Sequence, residues 1–146
     1  MRDLFFYELR KCVADIRAIE DALIPSEIDR ERQIIFDAYD MVCKLSAITS
    51  REGLLTLEEY ACSIPKKGSV FTKVVRTVCM CICDGMEPSY VEEIALNRYM
   101  AGVVDGHEGL AILILVRGLL LMQEHESEGV IKEIVQSMIP FELVEE

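Results

Sequence analysis

"GLAILILVRGLLLM", residues 109–122, is the longest apolar run in the chain, and its reading decides the fold. A helix that crosses a bilayer needs about 20 consecutive apolar residues. This run has 14 and carries Arg117 inside it. It therefore reads as a buried helix, hydrophobic on nearly all sides, around which the rest of a compact domain packs. Leu113, Leu115 and Leu119 are its expected centre.

The chain can surround such a helix. At 146 residues it has the length of one domain with a substantial core. Hydrophobic residues make up 51% and charged residues 28%, the balance of a folded chain and not of a disordered one. The net charge of −11, from 15 basic and 26 acidic residues, disfavours nucleic acid and anionic membrane faces. It favours a protein partner with a basic surface. "MRDLFFYELRK" (1–11) lacks the apolar run and cleavage site of a secretory signal, so a cytoplasmic location is expected.

Upstream of the apolar run, Phe5, Leu9, Cys12, Ile16, Ile19 and Leu23 recur at steps of 4, 3, 4, 3 and 4, the seam of an amphipathic helix. Pro25 is expected to end it. Ser26 with Asp29 approximates a capping box, and Ile28, Ile35, Tyr39, Val42 and Leu45 mark a second helix, completing an N-terminal hairpin over 1–47. Thr49 with Glu52 resembles a further helix start. Gly53 would then lie in its first turns, where it would let a neighbouring helix approach, with Leu54, Leu55 and Leu57 facing inward. "SIPKKGS" (63–69) reads as a loop, Ser69 as a cap, Asp84-Gly85 as a stop and Pro88 as a new first turn. A last helix runs through Val130, Ile131, Ile134, Val135 and Met138 to Pro140, followed by the acidic tail "FELVEE" (141–146). No alternating β pattern occurs. The expectation is an all-α single domain, a bundle of about six helices.

A weak recurrence is also present: "REGL" (51–54) with "HEGL" (107–110), "VVR" (74–76) with "LVR" (115–117), and "VEEI" (91–94) with "IKEI" (131–134). It is readable as a degenerate internal duplication or as chance in an acidic helical chain.

Candidate chemistry is sparse. Without an export signal, the six cysteines read as reduced thiols. On a helix Cys79 and Cys83 share a face while Cys81 points away, so the three do not converge on one metal. His107 and His125 are distant in sequence, and nothing in the spacing pairs either with a cysteine as nucleophile and base. Glutamates are scattered rather than paired for acid–base work. No catalytic, cofactor or metal site is expected, and the chain reads as a non-enzyme.

"SREGLLTLEEY" (50–60), a loop, and then "VFTKVVRTVCMCICDGMEPSYVEEIALNRYM" (70–100) resemble the cytoplasmic segment of the flagellar motor stator protein MotA. "HEGLAIL" (107–113) resembles the turn that leads that family back into the membrane. The likeness spans 42–113, and the chain divides accordingly into 1–47, a stator-like segment 48–113, and C-terminal helices 114–146. A stator subunit has four membrane spans, and this sequence shows none, so the resemblance does not imply an ion channel. It implies an interaction segment whose charged helix contacts a FliG-type rotor protein. Arg51, Glu58 and Glu59 occupy the matching positions. Arg51 and Glu58 are expected on one helix face, two turns apart. The competing reading is a general helical adaptor or a homo-oligomer, suggested by the Phe5–Leu23 seam and by Phe6 and Tyr7 on a wider face.

Overall fold

The structure, a computed structural model, describes residues 2–65 and 68–144. Its helices are α1 (Arg2–Asp21), α2 (Pro25–Glu52), α3 (Thr56–Ser63), α4 (Val70–Cys83), α5 (Pro88–Gly102), α6 (Gly106–Gln123), α7 (Glu128–Gln136) and α8 (Phe141–Val144). No strand occurs among the described residues. The fold is all-α, a compact helical bundle. Six of its helices have nine residues or more, and the additional two are the short α3 and α8.

Helix α6 is the axis. Leu110 to Leu115 and Leu119 are fully buried, and α1, α2, α4, α5 and α7 all pack against it, α2 most extensively. By length and composition α6 could cross a membrane, yet 83% of it is buried inside the protein. Arg117 fits here because its side chain is only half-buried, reaching a shallow surface cleft it shares with Glu92 and Glu124. Gly118 explains the close seating of α2. A Cβ at this position would stand 2.7 and 2.8 Å from the two γ-carbons of buried Val42.

The amphipathic helices bury the faces their spacing defines. Phe5, Cys12 and Ile16 of α1, Ile35, Val42 and Leu45 of α2, Val74, Val75, Val78 and Ile82 of α4, and Ile131 and Val135 of α7 are all in the core. Both arms of the N-terminal hairpin lie on α6, joined by residues 22–24. The local details of this turn differ from the expected ones. Helix α1 stops at Asp21, and Pro25 opens α2 rather than closing α1. The Glu27 carboxylate accepts the Ile24 N–H at 3.1 Å, so the turn is capped by Glu27 and not by a Ser26–Asp29 box.

A second correction concerns residues 49–57. Helix α2 runs through Thr49 to Glu52 without a break, and the Thr49 hydroxyl donates back to the Ser46 carbonyl at 3.3 Å. Gly53 lies just past the end of α2 with φ +93°, its N–H bonded to Thr49 O at 2.8 Å. A Cβ on Gly53 would meet nothing within 4 Å, so glycine is present here for its backbone conformation and not to admit a neighbouring helix. Of the three leucines, Leu57 is fully buried and Leu54 half-buried, but Leu55 is 70% exposed. The divisions at 47/48 and 113/114 fall inside α2 and α6.

The recurrence has a mixed structural counterpart. Arg51–Leu54 closes a helix whereas His107–Leu110 opens one, so that pair is not equivalent. The turns after α4 and α6 do match. Gly85 and His125, 40 positions apart, each have positive φ (79° and 60°) and form the same bonds. Gly85 N–H reaches Ile82 O and Met86 N–H reaches Cys81 O; His125 N–H reaches Met122 O and Glu126 N–H reaches Leu121 O. These are Schellman turns. Gln123 links them, its Nε2 donating to Met86 O at 2.6 Å.

Candidate interaction surface

The residues 51–60 form an exposed corner. Arg51 and Glu52 end α2, the chain turns at Gly53, and α3 begins at Thr56 after Leu55. The Thr56 hydroxyl donates to Gly53 O at 2.7 Å, which fixes the turn. Leu55, which stands at the N-cap of α3, offers no side-chain acceptor, so the carboxylates of Glu58 and Glu59 in the first turn are what complements the positive end of that helix. Arg51, Glu58 and Glu59 are all exposed, but they do not share a helix face. Arg51 belongs to α2 and the glutamates to α3, on opposite sides of the Gly53 turn. What the corner presents is an exposed Leu55 close in sequence to the exposed Glu52, Glu58 and Glu59, a combination that the expectation of an inward Leu55 missed.

The end of α4 supports this corner from below. The Cys83 thiol lies 3.8 Å from Leu54 O, and its pKa is raised by burial and then by the charges of Glu58 and Asp84. Cys79 is fully buried, and burial pushes its thiol up to about 12; Cys81 is raised for the same principal reason. Thiols held protonated near neutral pH are poor nucleophiles and poor metal ligands. Among the described residues no group of three or more His, Cys, Asp or Glu side chains is arranged to hold a metal ion.

The two histidines have unrelated settings. His125 is exposed in the α6–α7 turn. His107, in the first turn of α6, is 2% exposed, and its Nε2 lies 2.8 Å from Glu20 Oε2. A carboxylate only accepts, so Nε2 carries the proton and donates. Arg32 grips the same carboxylate with both ends of its fork, Nη2 to Oε1 at 2.7 Å and Nε to Oε2 at 2.9 Å. These bonds, Arg32 first, hold the Glu20 carboxyl below its ordinary range against the opposing effect of burial. The cluster ties the end of α1, the start of α2 and the start of α6 together. Both Glu20 oxygens are occupied, which makes the group a clamp for the hairpin. A further buried contact joins α1 to α5, with Cys12 Sγ 2.9 Å from the Tyr99 hydroxyl. Burial, foremost, raises the pKa of each.

The molecule is thus a helical bundle in which the Glu20–Arg32–His107 group and the Cys12–Tyr99 contact join helices, and whose exposed features include charged and apolar surface. Comparison with family models, with curated proteins and with solved structures finds no match. The stator resemblance stands on the motifs between 42 and 113 alone.

Proposed function

We propose that this protein is a non-enzymatic helical interaction module that docks a basic protein surface at the α2–α3 corner. The observation that carries the reading is Leu55, 70% exposed and close in sequence to the exposed Glu52, Glu58 and Glu59. An exposed leucine with exposed carboxylates three and four residues away along the chain suits a partner with an apolar pocket rimmed by lysine or arginine, the apolar contact supplying hold and the charges supplying approach. The net charge of −11 adds long-range attraction for such a partner. Arg51, across the turn, would meet an acidic residue at the edge of the site.

The stator-like motifs make a FliG-type rotor protein in the cytoplasm the first partner to test. In this reading the chain takes part in a motor-associated contact and conducts no ions. Titration calorimetry and stopped-flow association with a purified rotor protein at low salt are the direct assay. Glu58→Lys reverses one exposed charge and should weaken binding about three- to tenfold, mainly through slower association, with the loss shrinking as salt rises. Leu55→Ser should weaken it chiefly through faster dissociation. Wild-type affinity in both variants, or no binding by the parent, would overturn the assignment of this corner.

A further inference from the structure

A large concavity lies far from that corner in sequence, between α1 and the α7–α8 end. It is an open groove of about 850 Å3, mainly apolar in its lining, with Leu9 and Val13 on one side and Met138 and Ile139 on the other. Two features distinguish it from a simple packing defect. Phe141 and Val144 lie on its rim, 79% and 49% exposed, while Leu143 between them is buried and anchors α8. The banks also carry opposite charges: Arg10 and Arg17 project from α1, Glu133 and Glu142 from the α7–α8 side. Arg17 and Glu142 neutralise each other at 2.7 Å, leaving Arg10 and Glu133 without an ion pair among the described residues.

We propose that this groove is the interface of a twofold homodimer, the partner being a second copy of this chain. An isologous contact requires one patch that is complementary to itself. Here the patch holds a projecting phenyl ring and an apolar groove side by side, so that each copy can place its Phe141 in the other's groove. The charges repeat the pattern. A twofold axis over the groove sets the basic α1 bank of one copy against the acidic α7–α8 bank of the other, where Arg10 meets the partner copy's Glu133. A uniformly acidic or basic ligand would find one favourable bank and one unfavourable bank. A second copy satisfies both. The face also continues along α1, because Tyr7, 62% exposed, precedes Arg10, Ala14 and Arg17 at steps of 3, 4 and 3 on the same helical stripe. In an acidic molecule of net charge −11, a patch with balanced charges is also where two copies repel least.

Sedimentation equilibrium of the full chain across a broad concentration range tests this directly. The parent should show a monomer–dimer equilibrium that persists in about 0.5 M salt, where exposed charge contacts are largely screened and apolar ones are not. Phe141→Ser removes both projecting rings of the dimer and should weaken association at least about a hundredfold. Its melting temperature at monomeric concentrations should stay close to the parent's, because the ring is mostly exposed in one copy. Arg10→Glu should weaken the dimer, and combining it with Glu133→Arg should restore it. A parent that remains monomeric at several hundred micromolar overturns the proposal, as does a Phe141→Ser protein that dimerises like the parent. Neither result bears on the Leu55 corner, whose binding is read with a different protein at low salt.

Discussion

Leu115→Ala measures how much of the fold depends on α6. Leu115 is fully buried, on a helix whose neighbours along the chain, Leu113, Ile114 and Leu119, are fully buried too. The substitution removes three carbons, a transfer loss of about 2.4 kcal/mol at about 0.8 kcal/mol per methylene. Five other helices surround α6 and limit collapse, so a residual cavity of about 60 Å3 adds about 1.5 kcal/mol. The total, about 4 kcal/mol, is a large share of the roughly 5–15 kcal/mol that holds a domain together. For a chain of this length the unfolding entropy is about 0.3 kcal/mol per kelvin, so the melting temperature should fall by about 13 °C. Leu55→Ala is the matched control. Leu55 is 70% exposed, and its loss should cost no more than about 0.5 kcal/mol, a shift under about 2 °C. Calorimetry or thermal circular dichroism on both variants, each shown to unfold reversibly, supplies the comparison. A Leu115→Ala protein that melts within about 2 °C of the parent would refute the argument that α6 is the core.

Gly118→Ala should destabilise despite a helix-propensity gain of about 1 kcal/mol, because the new methyl stands 2.7 Å from Val42, a stiff β-branched side chain, and overpacking costs about 1–3 kcal/mol. A double-mutant cycle with Val42→Ala should show a coupling above about 0.5 kcal/mol; simple additivity would contradict the contact. His125→Gly should raise stability by about 0.5–1 kcal/mol in denaturant melts, since φ 60° strains histidine and suits glycine. The Glu20 carboxyl is depressed in the folded state, so its contribution is present above the unfolded value near 4.5 and is lost as pH falls through the lower folded value. Stability measured from pH 6 to pH 3 should therefore decline in acid, and Glu20→Gln should flatten part of that slope; an unchanged slope would show that the carboxylate does not couple folding to pH. Cys79 works in the opposite sense: its thiol, raised to about 12 in the fold, binds a proton that the unfolded chain loses near 9, so stability should fall above pH 9, less steeply in Cys79→Ala.

The parts of the fold legible in the sequence are those fixed by apolar periodicity. Spacings of three and four located the buried faces of α1, α2 and α7, and the long apolar run located α6, because burial of these faces is the dominant favourable contribution. The stop at Gly85 was legible because its backbone requirement is local, whereas α7 ends at Gln136 and not at the expected Pro140. What failed was the reading of residues 49–57. The pattern of Thr49 and Glu52 fits a helix start, but it is equally compatible with a helix interior, where a threonine hydroxyl bonds back to a carbonyl three residues earlier. Only the positive φ of Gly53 distinguishes the two, and a glycine alone does not announce its φ. Moving the break from Thr49 to Gly53 separates Arg51 from Glu58 and turns Leu55 outward. The Glu20–Arg32–His107 clamp was illegible for a different reason. His107 is 87 residues from Glu20, and no local pattern encodes a contact across that distance. The groove beside α8 is likewise a product of tertiary packing, and reading residues 141–146 as an acidic tail did not single out the exposed Phe141.

Hydrogen exchange at the backbone amides of 110–122, followed in aqueous buffer without lipid or detergent, tests the central claim most directly. If α6 is the buried axis of the bundle, these amides exchange only through global unfolding, are the slowest in the protein, and report the same free energy as denaturant melting. Rapid exchange along this segment while α2 and α4 remain protected would contradict the account.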